Sequence, residues 1–339
     1  MPAMTSAPTS DVVDRALELM GTHIRILVGE PTGPAVGSPE DAADRVEAFL
    51  NVYNETMSRF RPSSELSRLN EDEREEIPAS PLMCSAIAAA LSAAEQSDGL
   101  VDPTLLGELE DAGYREHWKA ENRVELREAL ADYRPKPSPA GVAQASRWRE
   151  ISVDEAAGII RRPRGVRIDT GGTGKGHAAD LAGELLAGFK TWAVDCGGDV
   201  RIGGTSGAER EVQVLGAFGD GQIETMTVRG GAVATSGLSS RIWRNAEGKS
   251  AHHLIDPATG QPAFTGLVAA TAAAPTAVEA ETLAKVALLK GPAAAASVLS
   301  RFGGITVDEE GNVERIGQLE AAPRVTITMP SSKSTKGSQ

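Results

Sequence analysis

Apolar and polar positions trade places along this chain in two rhythms. Thr22–Val28 (THIRILV) alternates apolar with polar residues, the period of a half-buried strand. Asp41–Met57 instead sets Val46, Phe49, Leu50, Tyr53 and Met57 at helical spacing, with Pro39 and Asp41 near its start. Pro81–Ser97, rich in Ala and Leu, predicts a second helix, and Gly99–Thr104 (GLVDPT) a break before another helix start. Glu121–Tyr133 predicts a further helix, and Arg134–Gly141 (RPKPSPAG) a surface connection that marks a soft boundary near 134–141. Beyond it, short β-like runs at Val166–Asp169, Thr191–Val194, Val212–Leu215, Ile223–Val228 and Ala232–Thr235 are punctuated by glycine pairs. Gly174–Leu186, Pro275–Lys290 and Pro292–Arg301 read as helices, the last two with Pro near their starts, and Leu267–Ala274 (LVAATAAA) as a buried strand. The mixture predicts an α+β fold with helices packed on a mostly antiparallel sheet. Residues 1–19 read as a polar lead-in, 20–325 as one domain with that soft boundary inside it, and 331–339 as a disordered tail.

Composition narrows the chemistry. Hydrophobic residues make up 41% of the 339, which excludes wholesale disorder. Aromatic residues are only 4%, so the core rests on Ala, Val, Leu and Ile, and single-stranded nucleic acid finds no stacking platform. Asp plus Glu number 47 against 34 for Lys plus Arg, a net charge of −13 that repels a nucleic-acid backbone. A phosphorylated ligand must therefore meet local positive charge: a metal, a lysine or two, or a helix N-terminus. No stretch is apolar enough to span a membrane, and Met1–Gly21 lacks the basic and apolar segments of a signal peptide. Cys84 and Cys196 stand in no ligand spacing and read as reduced thiols of a cytoplasmic protein.

The densest chemical signal is Val166–Asp180 (VRIDTGGTGKGHAAD), a strand, a glycine turn and a helix start carrying Lys175. Glycines admit a ligand close to the backbone, and the helix offers free N–H groups to an anion. A P-loop is excluded, because Asp169 and Gly176 stand where Gly and Ser or Thr are needed. A dinucleotide fingerprint fits better at Gly174–Ala179, with Asp195 at a suitable distance, but the strand does not run straight into its first glycine. The second signal is Ala251–Gly260 (AHHLIDPATG). Its paired histidines and Asp256 suit ligands, an acid–base pair, or a strand end followed by an Asp-Pro turn.

Taken in order, seven blocks resemble one family, the FAD:protein FMN transferases or ApbE family. They are Met20–Thr22, Ser58–Asn70 (SRFRPSSELSRLN), Gly99–Thr104, Asp169–Gly176, Gly197–Asp199, Thr235–Gly237 and His253–Gly260. The resemblance implies a two-lobed α+β enzyme with FAD in the cleft. Such an enzyme splits FAD, joins FMN through its phosphate to a Thr or Ser hydroxyl of an acceptor protein, and releases AMP. His253 is then the candidate base, with His252 as runner-up. Met20, Phe60, Val101, Asp102, Asp169 and Lys175 are the candidate FAD contacts, although packing alone would also account for Met20 and Phe60. Lys175 is expected to bind phosphate, and its loss to leave the FAD-free protein's stability little changed.

Mg2+ is the expected cofactor, held by the Gly172 carbonyl and by Glu281. The family places Asp and Thr four apart on this helix, whereas here Ala280–Lys285 (AETLAK) has Glu281 and Lys285. Either Glu281 keeps the metal or Lys285 replaces it, and retained Mg2+ dependence is the favoured expectation. By spacing alone the pair reads as an ordinary helix-surface ion pair. The absence of a lipid-attachment cysteine motif points to a cytoplasmic acceptor. Three rivals stay open: an FAD pyrophosphatase giving FMN and AMP, a non-catalytic FAD-binding protein, and a Rossmann-type oxidoreductase.

Overall fold

A computed structural model describes residues 2–4, 12–116, 124–132 and 135–317. Its centre is an eight-stranded sheet in the order 313–316, 304–308, 267–274, 231–237, 199–203, 192–196, 22–28, 13–19. Every neighbouring pair in it is antiparallel. The α+β, mostly antiparallel expectation is met, and a doubly wound parallel sheet of the dinucleotide-binding type is excluded.

Helices α1 (Pro39–Met57), α2 (Glu65–Glu71), α3 (Pro81–Gln96), α4 (Leu106–Asp111), α5 (Leu126–Asp132), α6 (Gly174–Glu184), α7 (Ala277–Lys290) and α8 (Pro292–Leu299) complete the core elements. One sheet face carries Ile24, Ile26, Val28, Val194, Ala232 and Ala234 against α1, α3 and α6. The opposite face packs Leu27, Ala193, Val200 and Val233 on a smaller sheet of residues 2–4, 210–215 and 222–228. The small residues of 267–274 are buried throughout, which lets α7 lie close on that strand.

Local signals explain the helices that shape the site. Ser38 caps α1, its hydroxyl accepting from Asp41 N at 3.0 Å, and Pro39 opens the first turn. Ala42, Val46, Leu50, Tyr53 and Met57 then form the buried stripe. At the start of α7, Thr276 caps Glu279 N, while Asp180 of α6 accepts from Ala277 N (2.8 Å) and Val278 N (3.0 Å). That carboxylate sits at the positive end of α7 and also pairs with Arg201 Nε at 2.9 Å.

Several elements differ from the sequence expectation. Val13–Leu19, inside the stretch read as a lead-in, is the edge strand of the main sheet. Its residues VDRALEL alternate apolar with charged or small positions, so its mean polarity hides a half-buried strand. Val166–Asp169 is extended but is not a strand. The Asn70 side-chain amide takes the place of a ladder partner, accepting from Ile168 N (2.7 Å) and donating to Ile168 O (2.8 Å). Helix α5 covers only the later part of Glu121–Tyr133, of which residues 121–123 and 133 lie outside the described ones. The 331–339 tail lies outside them too. The connection after 134 is exposed but stitched down, through Ser138 N to Phe264 O, Ala140 N to Leu289 O and Gly141 N to Asp256 Oδ1.

Candidate active site

The loop Asp169–Lys175 floors a cleft with two ends. One end is lined by Met20, Tyr53, Met57, Arg59, Phe60 and Lys175. The other is lined by Val101, Asp102, Gly172, His253, Leu254 and Lys285. Tyr114, Asp169, Gly171 and Arg241 belong to both. Every candidate FAD contact, together with His253, Gly172 and Lys285, lines this cleft, whereas Glu281 lies beneath it at 1% exposure and His252 and Asp256 do not line it.

Successive side chains of an extended chain point to opposite sides, and this separates the two histidines. His253 faces the cleft, whereas His252 faces an apolar pocket with Leu126, Leu238 and Phe264, its Nδ1 accepting from Leu254 N at 3.3 Å. His253 Nδ1 is buried without a hydrogen-bond partner among the described residues. Burial, then the positive charges of Arg241, His252 if protonated, and Lys285, push the His253 imidazole well below its ordinary pKa. It is therefore neutral at physiological pH and free to accept a proton. Asp256 is not its partner. That carboxylate builds the turn, accepting from Gly141 N (2.9 Å), Ala258 N (3.0 Å) and Thr259 Oγ1 (3.1 Å).

Beneath the loop lies a cluster of four charges, Asp199 and Glu281 buried and Lys175 and Lys285 partly exposed to the cleft. Lys175 Nζ contacts Asp199 and stands 3.7 Å from Glu281 Oε1; Lys285 Nζ lies 2.9 Å from that same oxygen. Glu281 Oε2 accepts from Gly176 N at 3.0 Å. Burial alone would depress the Lys175 pKa, but Asp199 and Glu281 outweigh it and hold the value above that of an ordinary lysine. Asp199, fully buried and repelled by Glu281, is pushed up despite Lys175, and its Oδ1 has no partner among the described residues. Burial also works against the Glu281 anion, which Lys285 and Lys175 nonetheless hold below the usual carboxylate range. Lys175 is thus paired with two carboxylates while lining the cleft, which argues against the expectation that its loss would spare stability.

The expected metal site fares differently. Among the described residues, no group of three or more His, Cys, Asp or Glu side chains is placed to hold a metal ion. Mg2+ requires oxygen ligands in near-octahedral geometry. Glu281 has both oxygens engaged, and the Lys285 ammonium stands at one of them. As arranged here, with the Lys285 ammonium on Glu281, these residues speak against a Mg2+ ion at Gly172 and Glu281.

Aromatic residues are scarce in this chain, yet Tyr53, Phe60 and Tyr114 line the cleft, with Trp243 packed behind Tyr114. The Arg59 guanidinium lies over Phe60 (4.2 Å to the centroid) and Tyr114 (4.5 Å), and Tyr114 stacks on Trp243 at 5.3 Å. Arg59 Nε reaches Asp169 Oδ2 at 3.4 Å, while Asp169 Oδ1 accepts from Gly171 N at 2.8 Å and so closes the glycine turn. Asp102 turns its carboxylate on Thr104 N (2.8 Å) and Thr104 Oγ1 (2.6 Å). Tyr114, Arg241 and the buried role of Asp199 escaped the sequence reading. Arg59 and Asp199 lie within the recognised blocks, but Tyr114 and Arg241 carry no local pattern.

An aromatic wall, lysines and an arginine, and a glycine turn at a helix N-terminus suit an aromatic anion of nucleotide type. The ApbE family sequence profile matches residues 20–307, and the chain belongs to that family. An FAD:protein FMN transferase of Chlamydia trachomatis is 28% identical over 241 residues, 70% of this chain and 71% of the relative. One from Treponema pallidum is 27% identical over 310 residues, 86% and 82% of the two chains. The crystal structure of the Thermotoga maritima ApbE protein superposes with a TM-score of 0.71 at 28% identity, covering 90% of this chain and 97% of that one. The flavin transferase ApbE of Vibrio cholerae, at 18% identity and a TM-score of 0.66, covers 90% and 97% and shares the fold.

Proposed function

We propose that this protein is an FAD:protein FMN transferase, an enzyme that splits FAD and attaches FMN to a Thr or Ser hydroxyl of an acceptor protein, releasing AMP. The observation that carries this reading is the convergence of His253, Asp169, Gly172, Lys285 and the aromatic wall on one cleft in a chain of the ApbE family. The flavin ring belongs with Met20, Phe60 and Tyr114, and the pyrophosphate with the loop backbone, Arg241 and Lys285. Asp169 shapes that loop by holding Gly171 N and Arg59.

In the transfer step the acceptor oxygen forms a bond to the phosphorus on the FMN side, and the bond between that phosphorus and the bridging pyrophosphate oxygen breaks. His253 takes the hydroxyl proton, and AMP leaves with the bridging oxygen and its electron pair. A pyrophosphate in the cleft would offset the positive charges that depress the imidazole, and so strengthen the base when substrate is bound. No step is routed through Mg2+. Cys84 and Cys196, both buried and unpaired, support a reducing compartment and hence a cytoplasmic acceptor. Among the described residues no helix is long and apolar enough to cross a membrane.

Incubation with FAD and a candidate acceptor, followed for AMP and protein-bound flavin, tests the reading. Transfer yields both. AMP with free FMN alone would make the protein a hydrolase, and neither would leave it an FAD binder. His253→Ala is expected to lower the rate by roughly 10²–10⁴ with FAD affinity retained.

A further inference from the structure

We infer that Lys285, with Arg241, supplies the positive charge at the FAD pyrophosphate, so that this enzyme binds and cleaves FAD without a divalent cation. The inference rests on the transferase reading above and concerns what neutralises the phosphates in that site. Three features carry it. The Lys285 side chain, 12% exposed, lines the same end of the cleft as Gly172, Asp102 and His253. Its stem packs against the glycine turn, Cε lying 3.9 Å from where a Cβ on Gly172 would stand. Its ammonium is 2.9 Å from Glu281 Oε1, while the other Glu281 oxygen is held by Gly176 N. Helix α7 thus presents a cation on the cleft wall, where its charge opposes a metal at Glu281.

The charge count agrees. Lys175 and Lys285 balance Asp199 and Glu281 within the cluster. Arg241 lines both ends of the cleft, and no described carboxylate pairs with it. The cations facing an incoming ligand on the Lys285 side are therefore organic and already in place. Two carboxylates line the Lys285 side: Asp102, whose Oδ1 is turned onto Thr104, and Asp169, which is held by Gly171 N and Arg59. An ammonium and a guanidinium can each donate hydrogen bonds to phosphate oxygens and meet the negative charge that builds on the departing AMP phosphate.

The test compares the wild-type enzyme in EDTA and in millimolar Mg2+, by FAD affinity from calorimetry and by AMP release. The expected result is equal affinity and equal rate in both buffers. A tenfold or larger gain from Mg2+ in either quantity overturns the inference without any variant being made. Lys285→Thr, which puts an oxygen where the ammonium was, is expected to weaken FAD binding in EDTA by about tenfold or more. It should also slow AMP release by roughly 10²–10³, with Mg2+ restoring part of both. A folded Lys285→Thr protein that matches wild type in EDTA also overturns the inference. Metal-independent FAD binding with no AMP in either buffer supports the cation assignment and refutes the transferase reading, so the two fail separately.

Discussion

Replacing Gly176 by Ala adds a single methyl group where α6 meets the start of α7. A Cβ at that position would stand 2.7 Å from both Ala277 C and Ala277 O and 2.8 Å from Val278 N. Those atoms are backbone, so no rotamer change relieves the overlap; the helix starts must separate by several tenths of an ångström. Overpacking of this kind costs about 1–3 kcal/mol. Separation also lengthens the 3.0 Å bond from Gly176 N to the Glu281 carboxylate, a charge-assisted contact worth about 1.5–3 kcal/mol. Against this, Ala gains up to about 1 kcal/mol of helix propensity over Gly. The balance is a loss of about 2–4 kcal/mol. Scaling the unfolding entropy to the size of this chain, that lowers Tm by roughly 3–6 °C. Calorimetric melting of the FAD-free protein measures it, and FAD titration should show weaker binding as the Glu281–Lys285 pair shifts. A variant as stable as wild type, or more stable, would refute the claim that this close approach is what demands glycine.

Lys175→Met should destabilise the FAD-free protein by about 3–5 kcal/mol, because Asp199 is left buried without its cation. Adding Asp199→Asn should recover most of the loss, and a double variant no more stable than the single one would remove the pair from this account. His177 bridges α1 and α3, hydrogen-bonding with Tyr53 Oη (3.1 Å) through Nδ1 and with Ser85 Oγ (2.9 Å) through Nε2. Burial pushes it down to about 4, so between an ordinary value near 6.5 and that point the unfolded chain binds the extra proton. Its contribution is complete above about pH 6.5 and falls by about 3 kcal/mol as the pH drops through 4. His177→Gln should flatten the decline of Tm over that window, and an unchanged slope would count against the buried neutral imidazole.

Much of the helix layer was legible from side-chain periodicity, because a helix that buries one stripe must repeat its apolar residues. Asp41–Met57, Pro81–Ser97 and Gly174–Leu186 agree with α1, α3 and α6 to within about two residues, and Leu267–Ala274 agrees outright. The strand Val13–Leu19 was hidden because an edge strand buries only half of itself. The extended Val166–Asp169 was misread because the residue that satisfies its backbone, Asn70, lies about a hundred positions away.

The motif residues of the site were equally legible, since the glycine turn, Lys175, His253 and the Glu281–Lys285 spacing are local patterns. Their state was not. Only the fold turns His253 to the cleft and His252 away, makes Asp256 a turn rather than an acid, and buries Asp199 under Lys175. Tyr114 and Arg241 reach the same wall from segments well over a hundred residues apart. Sequence determines which groups can carry charge; burial and through-space neighbours decide which of them keep it, and whether Glu281 meets a metal or an ammonium.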